Sequence, residues 1–296
     1  YYFSNFVQLS NFEPQMDICD CYKNNYGDFD TYEINDLIDI GDYIKLTKFI
    51  DTNTNTTYKT RYFNSIEETD NNTLIKKSTC LYGNSIIEVE MSFYKFHNTS
   101  ENIPKILNYN YNYFEMEKIN GRIAIDVFNN ERIYKQNIIL KNIIKSLKEL
   151  HSYSKYTISK CKLLIDINIE FNIKVKKRLL LIDQVLNKFS FIQSINGIPI
   201  KYTSDYIITE LYNKIKLFFI ENIKEYSSIH GDPHLSNILI DNNNKIYFID
   251  PRGYFGKTKL YGIEHYDIGK IIYSLSGFDE INNSNNHFFV IDNTNI

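Results

Sequence analysis

The chain has 296 residues, 43% hydrophobic, 15% aromatic and 23% charged, a globular composition long enough to build a core without disulfide staples. A net charge of −3 excludes the basic excess of a general nucleic-acid binder, so no nucleic-acid partner is expected. No apolar run reaches the ~18 residues that a membrane span needs, and no signal peptide is visible. The four cysteines, Cys19, Cys21, Cys80 and Cys161, have neither paired zinc spacing nor a disulfide framework, which leads us to expect reduced thiols and a cytoplasmic location. The chain begins at Tyr1 rather than Met and ends in a polar run without a stop signal, the expectation for a piece of a longer protein.

In chain order, residues 1–37 are irregular and aromatic-rich and read as the tail of a preceding domain. From Asp39 to Thr79 the signals are β. "YIKLTKFID" and "TYKTRYFNSI" are rich in β-branched and aromatic residues, with a turn at Thr52–Thr57, and "TLIKKST" is a further short strand. Gly83-Asn84-Ser85 supplies a helix-start signal, and Ile86, Val89, Phe93 and Phe96 then share one helical face. "YNYFEMEKI" reads as another strand. The second half is helical: Ile139, Ile143, Leu147 and Leu150 recur at the helical period, as do Ile208, Leu211, Ile215 and Phe218. Between them the most basic stretch, Lys174, Lys176, Lys177 and Arg178, reads as a solvated helix face. After Ser227, two short strands, "NILI" and "IYFID", are joined by Asp241–Lys245, whose Asn and Asp residues suit a tight turn. A last helix covers "YDIGKIIYSL". The order predicts an α+β fold: a mostly antiparallel β region with one helix, then a helical region with an embedded hairpin.

That hairpin concentrates the polar chemistry. Asp232 precedes it, Asn237 stands just before its first strand, and Asp250 ends its second. A hairpin returns the chain to its starting end, so Asp250 comes back beside Asn237. A carboxylate and an amide carbonyl then converge, and hard oxygen donors suit Mg²⁺ shared with substrate phosphates. Asp232 beside them is placed to accept a proton from an attacking hydroxyl. A positioned metal and a positioned nucleophile are what phosphoryl transfer requires.

"HGDPHLSN" resembles the H-x-D-x-x-x-x-N catalytic loop of the aminoglycoside phosphotransferase and choline kinase group, in the protein-kinase-like superfamily. "IYFIDPRG" occupies the place of that superfamily's metal-binding aspartate motif. "HYDIGKIIYSL" resembles the following helix, whose aspartate, Asp267 here, braces the loop. The resemblance covers roughly Asp39 to Gly277. It implies a two-lobed protein-kinase-like fold, a small β-rich N-lobe over 38–119 and a larger helical C-lobe over 120–296 that carries the catalytic hairpin and is truncated at its end. It also implies ATP and Mg²⁺ as cofactors, and a small-molecule hydroxyl acceptor, sugar-like or an amino alcohol. "LIKKS" looks like the strand with the ATP-binding lysine. Lys76 and Lys77 face opposite ways on a strand. Lys76 is preferred, because it shares a face with Leu74, which would pack on adenine. Glu90, ahead of Glu88, is the expected ion-pair partner. "YFEMEKINGR" resembles the hinge, with Met116, Glu117 and Ile119 at the adenine. No G-x-G-x-x-G loop is present, and the turn at Thr52–Thr57 has no glycine, which leaves the phosphate-covering contacts unassigned. A finer resemblance, to kinase-like modules of bacterial surface-polysaccharide biosynthesis, implies a covalently linked nucleotidyltransferase domain before residue 38.

Other readings compete at each position. His230, Asp232 and His234 make a candidate metal cluster of hydrolase type, opposed by Pro233 and by the lack of further clustered histidines. His230 otherwise holds the catalytic loop, and His234 contacts substrate or solvent. Arg252 is either a structural ion-pair former or a bidentate phosphate clamp in the catalytic site. A non-catalytic nucleotide-binding pseudokinase fused to a transferase is the alternative function, opposed by the intact Asp232, Asn237 and Asp250.

Overall fold

A computed structural model describes residues 63–278, apart from residues 189, 196, 201 and 202. The described residues belong to one compact unit, residues 58–296. The irregular segment 1–37, the strand "YIKLTKFID" and the turn Thr52–Thr57 lie outside the described residues. Among those described, no helix is long and apolar enough to cross a membrane.

The first part is an antiparallel sheet of β1 (Asn64–Glu68), β2 (Thr73–Ser78), β3 (Ile106–Asn110) and β4 (Tyr113–Glu117), in the order β1-β2-β4-β3. β2 is internal, so Lys76 lies between Ile66 of β1 and Phe114 of β4. Helix α1 (Leu81–Phe96) follows β2. It starts two residues ahead of the glycine that sequence takes as its start signal. Gly83 serves another purpose: a Cβ there would stand 2.3 Å from the Phe63 carbonyl oxygen, so only glycine lets the helix approach β1 so closely. The buried stripe also differs from the expected Ile86, Val89, Phe93 and Phe96. Gly83, Ile87, Glu90, Phe93 and Tyr94 are buried, while Ile86 and Val89 line a cleft.

The second part opens with β5 (Gly121–Ile123), followed by α2 (Ile133–Ser152) and α3 (Lys160–Asn168). A π-helical turn, Ile169–Ile173, joins α3 to α4 (Lys174–Lys188). Another π turn, Ile207–Leu211, leads into α5 (Tyr212–Asn222). A π turn inserts a residue into the α period. Of the expected stripe Ile215 packs inward while Phe218 is exposed, and Tyr212 and Phe219 join Ile215 on the buried side. Then come β6 (Glu225–Ser228), the hairpin β7 (Ile238–Asp241) and β8 (Ile246–Phe248), and α6 (Glu264–Tyr273). β7 lies between β8 and β5.

One core joins the two parts. Phe93 and Phe114 from the first, Ile143, Leu147 and Leu150 of α2, and Ile238 and Phe248 of the hairpin belong to a single buried cluster. At roughly 1.5–3 kcal/mol for each large apolar side chain buried, this cluster fixes the hairpin against the sheet. A second cluster, with Ile167, Phe219, Tyr226 and Phe255, underlies the helices.

Two buried carboxylates hold the segments on either side of the hairpin, Asp267 the loop before it and Glu170 the segment after it. Asp267, fully buried near the start of α6, accepts the His230 amide at 2.9 Å and the Gly231 amide at 2.8 Å. His151 of α2 is 3.0 Å from the same carboxylate. Gly231 has φ +84°, and a Cβ there would lie 3.0 Å from the Arg252 Cβ, so the turn needs glycine. Glu170, in the first π turn, accepts both guanidinium nitrogens of Arg252 and the Lys174 ammonium at 2.9 Å. Burial alone would raise the Glu170 carboxyl. The Arg252 guanidinium, with Lys174 behind it, overcomes burial and holds the pKa down to about 2.

Asp267→Ala removes the acceptor of two buried amides and of His151. An orphaned buried donor costs about 1–3 kcal/mol, so the variant is expected to lose roughly 3 kcal/mol in urea unfolding. A loss below about 1 kcal/mol would show that the loop is held by packing instead.

Candidate active site

The hairpin does what its spacing requires. Ile238 pairs with Phe248, and the Ile249 amide donates to the Asn237 carbonyl at 3.0 Å, extending the ladder to the point where Asp250 follows. Asn237 and Asp250 therefore line one cleft, of about 1000 Å³, together with Lys76, Glu90 and Asp232. The Asn237 side-chain amide donates to the Asp232 carbonyl at 3.0 Å, so its Oδ1 is the atom left to face a cation. Asp250 adopts φ +52°, a conformation that Asp tolerates better than most residues but at a cost. Its amide donates to the buried Tyr94 hydroxyl at 3.2 Å.

Lys76 is 4% exposed and points into this cleft, whereas Lys77 is exposed on the opposite face of β2. The Lys76 ammonium donates to Glu90 Oε2 at 2.7 Å and to Asp250 Oδ1 at 2.6 Å. Burial opposes its charge, but the two carboxylates outweigh burial and hold its pKa above the ordinary lysine value. Glu90 is buried one turn beyond Ile87, while Glu88 is exposed. Leu74 packs against the main core.

Asp232 carries a partner that sequence reading did not name. The Lys270 ammonium donates to Asp232 Oδ1 at 2.7 Å, and His234 Nε2 is 3.8 Å from Oδ2. Burial would raise this carboxyl. Lys270, and after it His234 and His230, overcomes burial and holds it below its usual range. Lys270 lies three residues after Asp267 on α6, so the two share a helix face; that spacing was the available signal. His230 is fully buried. Its Nδ1 accepts the Asp232 amide at 3.2 Å and its Nε2–H donates to the Ile249 carbonyl at 2.9 Å. Burial lowers its pKa despite the surrounding aspartates, which keeps the ring neutral. With both nitrogens engaged, His230 braces the loop and offers no lone pair to a metal. Among the described residues, no three or more His, Cys, Asp or Glu side chains gather as a metal site, which removes the support for a His-Asp-His centre.

Arg252 borders the cleft, but its fork is taken up. Besides Glu170 it donates to the Tyr266 hydroxyl, and its guanidinium lies 4.0 Å above the Tyr254 ring. Of its two sequence readings, the structure places it in the ion pair.

The hinge positions stand apart from the cleft. Met116 is buried in β4, paired with Leu74 on one side and Ile106 on the other. The Glu117 amide donates to the Lys105 carbonyl at 3.0 Å, and the Ile119 carbonyl accepts Gly121 at 2.9 Å. Glu117 and Ile119 line a separate hollow of about 320 Å³ with Tyr247 and the Asp241–Asn243 turn.

No family model matches the chain. No curated protein matches it by sequence. Solved structures do. The gentamicin–APH(2″)-IIa complex is similar at 17% identity and a TM-score of 0.44, over 76% of this chain and 73% of that one. The ADP-bound aminoglycoside phosphotransferase APH(2″)-Ib is similar at 16% identity and a TM-score of 0.45, over 75% and 72%. An ethanolamine kinase of Plasmodium vivax is similar at 16% identity and a TM-score of 0.41, over 73% and 62%. In structure, the chain is similar to aminoglycoside phosphotransferases and to choline/ethanolamine kinases.

Proposed function

We propose that this chain is an ATP-dependent small-molecule kinase that transfers the γ-phosphoryl group to a hydroxyl. The observation that carries this reading is the shared Lys76: one buried ammonium bound at once by Glu90 of α1 and by Asp250 of the hairpin, with Asn237 and Asp232 on the same cleft. A lysine this deeply placed is held for more than structure when its second carboxylate, with a side chain 46% exposed, faces open space.

The oxygen donors at Asn237 and Asp250 fit Mg²⁺, which keeps several waters and takes one or two protein ligands beside phosphate oxygens. A magnesium ion held there would neutralise charge on the transferred phosphoryl group. Lys76 binds nucleotide phosphate, and Glu90 fixes the direction of its ammonium. Asp232 accepts the hydrogen bond of the acceptor hydroxyl and then its proton. Because Lys270 holds the Asp232 carboxyl below its usual range, this group is fully ionised at neutral pH and a weak base. Its main contribution is to orient the nucleophile, which suits a transfer that asks little covalent chemistry of the protein. His230 and Asp267 keep the loop in register. Arg252 acts through Glu170 and Lys174 as a positioning residue. Met116, Glu117 and Ile119 remain the proposed hinge, with adenine contacts from the 117–120 turn rather than from the Glu117 amide. The pseudokinase alternative keeps the same nucleotide contacts without transfer.

The two metal positions differ in charge, so their variants are expected to differ. Asp250→Ala should abolish Mg²⁺-dependent turnover. Asn237→Ala should weaken it in a way that added Mg²⁺ partly restores. A Mg²⁺ titration of turnover in all three proteins checks this, and wild-type Mg²⁺ dependence in Asp250→Ala would remove the kinase reading. The neighbouring lysines make an internal control. Lys76→Met is expected to lower ATP turnover by about 10²-fold, in the range for losing one preorganised charge contact, while Lys77→Met stays within about twofold. Steady-state kinetics on both, with folding checked by thermal unfolding, would sink the assignment if the order were reversed.

A further inference from the structure

We propose that the hydroxyl acceptor is itself an anion, with its negative charge held by Lys177 and Arg178 on the α4 wall of the cleft. The inference rests on the phosphotransfer reading above and names the substrate class for that site.

The wall is one side of a continuous helical rod. Glu170, Ile173, Lys174, Lys177 and Arg178 of the π turn and α4 all line the cleft, and the last three stand at i, i+3 and i+4. The basic stretch is a solvated face, as it reads from sequence, with Lys176, Lys177 and Arg178 exposed, and its Lys174, Lys177 and Arg178 also border the cleft that holds Asp232 and Asp250. Six cationic and four anionic side chains line the cleft, so the pairing decides which cations are spare. Lys76 is matched by Glu90 and Asp250, and Lys270 by Asp232. Glu170 serves both Arg252 and Lys174. Lys177 and Arg178 form no ion pair among the described residues. Two unmatched cations thus remain on one wall, beyond a Lys174 and Arg252 that already share one carboxylate.

The crowding is felt at Lys174. Burial first, and then the charges of Arg252 and Lys270, lower its pKa from the ordinary lysine value. An anion bound against this wall relieves that repulsion, and a polycationic acceptor adds to it. Lys177 and Arg178 sit on α4 and not on β2, where Lys76 meets the nucleotide phosphates. Their surplus charge therefore falls to the second substrate. Arg178 also offers the planar fork that matches a phosphate or carboxylate.

The test compares ATP consumption by the full 296-residue chain with matched probes at saturating Mg²⁺ and ATP. These are glycerol 3-phosphate, ribitol 5-phosphate and glucose 6-phosphate, a carboxylate-bearing sugar acid, the neutral parent sugars, and kanamycin as a polycation. The expected result is that the anionic class exceeds the neutral and cationic classes in kcat/KM by at least about tenfold, with phosphate and carboxylate arms telling which anion is read. Lys177→Ala/Arg178→Ala should lower that kcat/KM about tenfold or more, chiefly through KM, and leave nucleotide affinity within about twofold. A neutral or cationic best acceptor, an unchanged acceptor KM, or a loss that appears in nucleotide affinity would each overturn the inference and leave phosphoryl transfer standing. No Mg²⁺-dependent ATP consumption with any probe would remove the phosphotransfer reading itself, and this inference with it.

Discussion

The fold is organised around a buried ammonium that must be neutralised. Taking Lys76 out of water costs several kcal/mol, and no single surface partner offsets that. Two carboxylates do, one from α1 and one from the end of the hairpin. That requirement fixes three elements relative to each other. β2 must face Lys76 inward, α1 must bury Glu90, and the hairpin must deliver Asp250 at the same point. Gly83 lets α1 come close enough to β1 for its buried face to meet the sheet, and the shared apolar core of Phe93, Phe114, Ile238 and Phe248 holds the three parts at that distance.

The loop before the hairpin is held by the same principle with the signs reversed. Asp267 is a buried anion satisfied mostly by backbone amides, so it fixes main chain instead of another side chain. His230 then spends both ring nitrogens on the loop and on the strand end. The result is a rigid frame in which Asp232 alone presents a carboxylate to the cleft from the loop, balanced by Lys270. Rigidity of this kind suits a reaction in which positioning and electrostatics supply most of the rate.

Sequence made legible what is local. The hairpin, its turn and the meeting of Asn237 with Asp250 follow from spacing alone, because a two-stranded ladder has one way to close. Strand alternation separates Lys76 from Lys77, and the helical period finds α2. What it does not carry is long-range choice. Glu170 and Arg252 are 82 positions apart, and nothing in either neighbourhood names the other. The solvated face expected of the Lys174–Arg178 run is present, but that Lys174, Lys177 and Arg178 also border the cleft follows only from the packing of α4. A helical stripe read from sequence can also continue by three residues or by four, and after Ile215 the buried side continues at Phe219 while Phe218 is exposed. A related effect acts at the hinge positions: the Glu117 amide and the Ile119 carbonyl, which look available in an isolated strand, are engaged by Lys105 and Gly121 in the folded chain.

The central claim is that the cleft transfers a phosphoryl group and does not merely bind a nucleotide. The most direct measurement follows γ-labelled phosphate from ATP into a hydroxyl acceptor, alongside nucleotide affinity, for the wild type and Asp232→Asn. The account predicts label in the acceptor for the wild type. For the variant it predicts unchanged nucleotide affinity and transfer lower by at least about 10²-fold, from losing the carboxylate that orients the hydroxyl and accepts its proton. Nucleotide binding without any transfer in the wild type, or equal transfer in the variant, would contradict it.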